Sequence, residues 1–145
     1  MRVLLQRVKS AEVHLNDARV GAIERGILAF LAIQREDDDA QADKLLHKVL
    51  AYRIFPDARD QMNLSVQEIG GGLLIISQFT LAANTRKGLR PSFTSAAPPD
   101  QAEALYDYFV SRAAELHPSS ASGRFGADMQ VHLINDGPAT FLLET

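Results

Sequence analysis

Two short runs gather the groups in this sequence that could do chemistry. The first is Ser77-Gln78-Phe79-Thr80-Leu81, where two hydroxyls bracket Gln78 and Phe79 as an apolar run from Leu73 passes into a loop. The end of a buried strand can hold polar groups at the rim of a site on a rigid support. The same hydroxyls can instead cap backbone groups at a strand edge. Ser77 does not stand in a Gly-x-Ser-x-Gly elbow. No histidine poised by an acid is evident, so the pattern does not support a Ser-His-Asp hydrolase. A nucleophilic Thr80 would need a base that the sequence does not nominate. The second run is Asn135-Asp136-Gly137-Pro138, between the apolar stretches Val131–Ile134 and Phe141–Leu143. Proline has no backbone N–H and is confined to strand edges and bulges. The dipeptide Gly137-Pro138 is therefore either the tip of a hairpin or a small rigid projection carried by two strands.

A third group is basic. Arg86, Lys87 and Arg90 lie close together with Phe93 nearby. Such a run is either a solvated loop or a place where cations hold phosphates and an aromatic ring stacks on a base. Other residues that often do chemistry point nowhere. The four histidines, His14, His47, His117 and His132, form no i, i+2 or i, i+4 pair, and no acid completes a zinc pattern. There is no cysteine, which removes disulfides, thiolate nucleophiles and cysteine-containing metal sites. No metal and no cofactor are expected. Gly70-Gly71-Gly72 precedes a strand-like run, whereas a phosphate cradle needs a helix to follow; a hairpin turn is the expectation there.

The totals set the frame. The chain has 145 residues, 46% of them hydrophobic and 23% charged, with a net charge of −3. That suits one globular domain over residues 1–145, able to bury roughly two-thirds of its unfolded surface. A general nucleic-acid coat protein would be basic, so contact with nucleic acid would have to be local. The longest apolar run, Gly26–Ile33, is too short for a bilayer and suits a buried strand. No membrane segment and no secretory signal are read, and a cytoplasmic location is the default expectation.

The elements that must position these groups follow from periodicity. Strands are expected over the first sixteen residues, over the stretch after the Asn16-Asp17 turn, and over Gly26–Ile33. Acidic residues up to Asp39 suit a helix N-terminus, and Ala42, Leu45, Val49 and Leu50 recur at helical spacing up to an end marked by Pro56. The run from Asp57 to Leu64 reads as a loop, Ser65–Ile69 as a strand, then a glycine turn and a buried strand. The stretch from Thr80 to Phe93 has no apolar period and reads as a long surface loop. A second helix starts at Pro98-Pro99-Asp100, with a stripe of Ala102, Leu105, Phe109, Ala113 and Leu116. Tyr106 and Tyr108 fall on it as packing residues. Pro118–Gly126 reads as a flexible connection. About six or seven strands and two helices result. Strands without intervening helices early in the chain favour a mixed or antiparallel sheet over a doubly wound parallel one.

The order and spacing of the short motifs add a further reading. Ser77–Leu81 and Asn135–Thr140, with Gln6-Arg7-Val8, Tyr52–Asp57, Met62–Val66, Arg90–Phe93 and Gly123–Val131, resemble the D-aminoacyl-tRNA deacylase family over the whole chain. The resemblance implies an α/β fold with a β-barrel-like sheet and two main flanking helices, assembled as a homodimer. It implies hydrolysis of the ester between a D-amino acid and the terminal adenosine of tRNA, with L-aminoacyl-tRNA rejected. If rejection works by collision of an L side chain with Gly137-Pro138, glycine, which has none, should also be removed, including glycine on an alanine tRNA. The resemblance assigns catalysis to Ser77, Gln78, Phe79 and Thr80. It assigns chiral selection to Gly137 and Pro138, in a cis peptide entering the partner's active site and buttressed by Arg7. The aminoacyl-tRNA would contact Arg86, Lys87 and Arg90. Thr80 is then either a nucleophile or a positioning group for a reaction assisted by the 2′-hydroxyl of the RNA. Two rivals stay open: an RNA-binding or dimeric scaffold without activity, and a paralogue whose trans Gly-Pro admits small L-amino acids.

Overall fold

The computed structural model describes residues 1–145. Its central strand is β1 (Arg2–Leu15), which pairs antiparallel with three neighbours, β2 (Ala18–Ile23), β3 (Gly26–Ala32) and β8 (Gln130–Glu144). Beyond β3, the strands β6 (Gly72–Ser77) and β7 (Ser120–Ser122) continue the sheet in parallel. The sheet is thus mixed, in the order β2-β1-β3-β6-β7 with β8 on β1. It rolls until β2 and β7 nearly meet. A Cβ placed on Gly21 would stand 2.8 Å from the Ser122 carbonyl oxygen, so glycine is needed at this near-closure. The result is the barrel-like sheet with two helices expected from the motifs.

The alternating strands bury two faces. Inside the rolled sheet lie Val8, Ala11, Val13, Ile23, Leu28, Leu74 and Ile76. On the other face, Val3, Leu5, Ile27, Ala29 and Leu31 pack with Leu73 and Ile75 against both helices. Helix α1 (Asp39–Ala51) turns Ala42, Leu45, Leu46, Val49 and Leu50 inward. Its start is fixed by a capping box: Asp38 accepts from the Gln41 backbone, and Gln41 reaches back to the Asp38 N–H. Helix α2 (Pro99–Leu116) buries Ala102, Leu105, Tyr106, Phe109 and Ala113, the stripe expected, with Pro99 in its first turn. No helix is long and apolar enough to cross a membrane.

Three sequence expectations are corrected. Ser65–Ile69 is not a strand. Ser65 and Glu68 exchange bonds, Ser65 N–H to Glu68 Oε2 at 2.7 Å and Glu68 N–H to Ser65 Oγ at 3.2 Å, which closes a turn instead. The strand precedes it: β5 (Met62–Leu64) pairs with β4 (Phe55–Pro56), within the segment read as a loop. The three glycines are no hairpin tip, because Ser65–Ile69 is not a strand and β6 pairs in parallel with β3 and β7 instead. Gly72 is needed for a close approach, since a Cβ there would stand 2.7 Å from Ile23 Cβ, and Gly26 opposite it is needed likewise, since its Cβ would meet the Gly72 carbonyl oxygen at 2.0 Å. Finally, Ser120–Ser122 is a strand and not a flexible connection. Small side chains hide its β character, while its backbone is held by β6 on one side, with the Gly123 N–H donating to Ile75 O at 3.0 Å.

Candidate active site

Strand β6 carries apolar residues into the core and ends at Ser77. The Gln78 N–H still bonds the Leu31 carbonyl at 2.8 Å, which holds the strand end in the sheet. The chain then turns into a short 3-10 helix, Phe79–Ala82. Ser77, Gln78 and Phe79 therefore sit on a rigid lip. They line a cleft of about 510 Å³ together with Ala97, Pro99 and Ala102 at the start of α2 and the segment Phe125–Met129. Gln78 Nε2 donates to Thr80 Oγ1 at 2.5 Å. The Thr80 hydroxyl thus accepts from a neutral amide and is left with its own proton to donate, the reverse of what a base would do to a nucleophile.

Tyr106 holds the two walls together. Its hydroxyl donates to Ile75 O at 3.0 Å on β6 and approaches Gly123 O at 3.5 Å. Burial of the ring pushes the phenol up to about 12. Asp128 is the one ionisable side chain among the residues lining the cleft. It and its neighbours Phe125 and Met129 were not singled out as site residues. Their signal was the run Gly123–Val131, which carries no polar pattern of its own. No three or more His, Cys, Asp or Glu side chains gather as a possible metal site.

The second motif is built differently. Strand β8 pairs with β1 on both sides of Gly137-Pro138: Gln6 faces Thr140 and Val8 faces Asn135. Arg7 alone on β1 therefore spans the four residues Asp136–Ala139 on β8. The two apolar runs do not pair with each other, so the motif is no hairpin tip. It is a bulge pushed out of a long strand. Its feet are fixed. Arg7 is 8% exposed, and its Nε donates to Asp136 O at 3.0 Å and lies 3.2 Å from Asp136 Oδ2. Arg7 Nη1 donates to Ile54 O at 2.6 Å, and Asn135 Nδ2 donates to Arg7 O at 2.9 Å. Ala139 is buried, while Gly137 and Pro138 are exposed and their peptide is cis. None of Asn135–Thr140 lines the cleft of its own chain.

The basic residues line neither the cleft nor the bulge. Asn84 and Ser92 exchange backbone bonds at 2.8 and 3.1 Å and close a loop whose exposed residues include Arg86, Lys87 and Arg90. Arg86 borders a separate cleft of about 410 Å³ with Arg2, Gln34 and Asn84. The structure thus brings Ser77–Thr80 together, joins Arg7 to Gly137-Pro138, and sets neither the bulge nor the basic side chains in the cleft of their own chain.

The comparisons with known proteins agree across the chain. The family profile described as D-Tyr-tRNA(Tyr) deacylase matches residues 4–144. The chain is 61% identical to a D-aminoacyl-tRNA deacylase of Stutzerimonas stutzeri (strain A1501) over 100% of both chains. It is 59% identical to one of Pseudomonas fluorescens (strain Pf0-1), again over 100% of each. Among solved structures, a c-Myc DNA unwinding element binding protein superposes with a TM-score of 0.95 at 36% identity, covering 100% of this chain and 99% of that one. A probable eukaryotic D-amino acid tRNA deacylase, at 20% identity and a TM-score of 0.88 over 98% of this chain and 97% of that one, shares the fold. With a barrel-like sheet, a cleft at the Ser77–Leu81 strand end and a clamped Gly137-Pro138 bulge, the chain belongs to the D-Tyr-tRNA(Tyr) deacylase family and is an enzyme of that hydrolase class.

Proposed function

We propose that this protein hydrolyses the ester of D-aminoacyl-tRNA, rejects L-aminoacyl-tRNA, and acts in the cytoplasm as a homodimer. The observation that carries the reading is the Gly137-Pro138 bulge: exposed at its tip, fixed at its feet by Arg7, and absent from the cleft of its own chain. Strand β8 has a ladder partner on one side only. Its free edge exposes Ile134 at 57% and Leu142 at 51%. A long apolar edge invites pairing, and a second copy is the occupant that would bring each tip to the other's cleft.

In that assembly the tip's backbone carbonyls receive the substrate ammonium and fill the space an L side chain would need. Discrimination works by exclusion. The backbone N–H groups at Phe79 and Thr80 stabilise the developing oxyanion. Thr80 positions the ester, and the RNA's own 2′-hydroxyl activates water at close range. An aminoacyl ester is an activated bond, and the cleft presents no histidine or cysteine.

Timed deacylation of matched D- and L-alanyl-tRNA tests the reading: the D ester is lost and the L ester persists. Loss of neither indicates a scaffold, and loss of a small L ester indicates a relaxed paralogue. Exclusion also predicts that glycyl-tRNA is cleaved, because glycine has no side chain to collide. One small group changes discrimination by only about 1–3 kcal/mol. Glycine surviving as well as L-alanine would show that the pocket grips a D side chain, and the exclusion model would be wrong.

A further inference from the structure

We propose that Phe79 and Phe93 form a stacking platform for the single-stranded nucleotides that precede the terminal adenosine, with the Arg86–Arg90 loop holding their phosphates. The proposal rests on the deacylase reading above and extends it from the ester to the RNA strand. The two rings stand 5.2 Å apart at 51°. They are 60% and 38% exposed, and they are the two aromatic rings among the exposed large hydrophobic side chains. Phe79 lines the cleft and Phe93 does not, so the pair leads from the cleft outward.

The cations lie on the chain segments that flank that pair. The basic loop starts at Asn84, just after the 3-10 helix that Phe79 opens, and closes at Ser92, next to Phe93. Both ends of the loop therefore converge on the aromatic pair. Ser95 Oγ donates to Ala82 O at 2.6 Å and ties the two legs together. Arg35 adds a fourth cation, with Nε donating at 2.7 Å to the carbonyl of Thr94, the residue after Phe93. None of Arg35, Arg86, Lys87 and Arg90 is in an ion pair. Inside the cleft the ionisable side chain is Asp128. An anionic strand is thus favoured outside the cleft and a cationic ammonium within it.

The occupant follows from charge. Two copies of this loop meeting face to face would bring like charges together, whereas a polyanion satisfies them. Aromatic faces take any base, because every base has a π-surface. Recognition of this kind is tolerant of sequence.

The test compares D-tyrosyl-tRNA with D-tyrosyl-adenosine, which carries the ester but no preceding nucleotide. Removing one base–aromatic contact should raise KM for the tRNA by roughly 5- to 150-fold, with kcat unchanged, in Phe93→Ala and in Phe93→Leu, which keeps the apolar contact. Hydrolysis of the adenosine ester should stay as in the wild type, and Phe93→Trp should restore KM. In a non-acylated single strand ending in CCA, 2-aminopurine at the penultimate position should be quenched by wild type and not by Phe93→Ala. Equal losses on both esters, unchanged quenching, or a dimer weakened by Phe93→Ala would overturn the platform. Quenching that depends on Phe93 in a protein that cleaves neither ester would uphold the platform and refute the deacylase reading.

Discussion

At the residue scale, the central fact is what Thr80 lacks. Its hydroxyl accepts from Gln78 Nε2, and the cleft beside it offers Asp128 as the one ionisable side chain. A true general base contributes about 10²- to 10⁴-fold. If the RNA 2′-hydroxyl assists the reaction, Asp128→Asn should leave kcat within about threefold, well short of the loss a missing base causes. A hundredfold fall would make Asp128 the base. Quenched reactions searched for an aminoacyl ester on Thr80 should yield none at a kinetically competent level. Replacing the substrate's terminal 2′-hydroxyl by hydrogen should slow cleavage, while Thr80→Ala should act mainly through misplacement of the ester. The Ser77–Thr80 cluster was legible because a hydroxyl-rich run interrupts an apolar strand. Asp128 was not, because its place in the cleft comes from the fold of Gly123–Val131 alone.

At the element scale, stripes decide what a sequence reveals. The α1 and α2 stripes announced both helices, and the long apolar run announced β3. Strand β7 stayed hidden because Ser120-Ala121-Ser122 has no alternation; its strand character comes from hydrogen bonds to β6. The Gly137-Pro138 bulge was half visible: proline forbade a regular ladder, but only the pairing of both arms with β1 excludes a hairpin. Arg7 is the keystone of that bulge. Arg7→Lys keeps a charge but loses the fork that reaches Asp136 and Ile54 together. Activity should fall more than tenfold, with a stability loss of about 1–3 kcal/mol, read from kcat/KM and denaturant midpoints. Tyr106→Phe should cost about 0.5–1.5 kcal/mol, the usual net worth of one hydrogen bond. Its phenol is raised from 10.0 to about 12. A raised value stabilises the folded protein fully below pH 10 and is lost as pH climbs through about 12. Wild type should therefore lose stability in that window, and Tyr106→Phe should lose less of it, as measured by denaturation at fixed pH values from 9 to about 12.

At the scale of the whole molecule, Gly137-Pro138 does not line the cleft of its own chain, and the proposed site calls for a second copy. Mixing Thr80→Ala with Pro138→Ala chains should rebuild one intact site per heterodimer, with Thr80 from one chain and Pro138 from the other. Each variant alone should be impaired, and activity should partly return after subunit exchange; verified heterodimers with no recovery would return the motif to its own chain's cleft. Binding of tRNA should depend on salt only moderately, because a protein of net charge −3 offers one local basic loop. Each phosphate contact contributes up to about 0.9 to the log–log slope, and a slope near ten would reveal a far larger footprint.

The pairing of β1 with β8 also has a consequence in time. Arg7 and Asp136 are 129 positions apart, and the strands that hold them complete each other's ladder. Contacts this distant along a chain form slowly, since loop closure must precede them. Until β8 arrives, β1 presents an open edge of up to fourteen residues, rich in valine and leucine. A newly made chain therefore passes through an interval in which its most adhesive surface is bare. The strand that carries the Gly137-Pro138 bulge is also the one that ends that interval. Chains truncated before Gln130 should not merely lack activity but accumulate as aggregates, and a chaperone that shields strand edges should be needed in proportion to how slowly β8 docks.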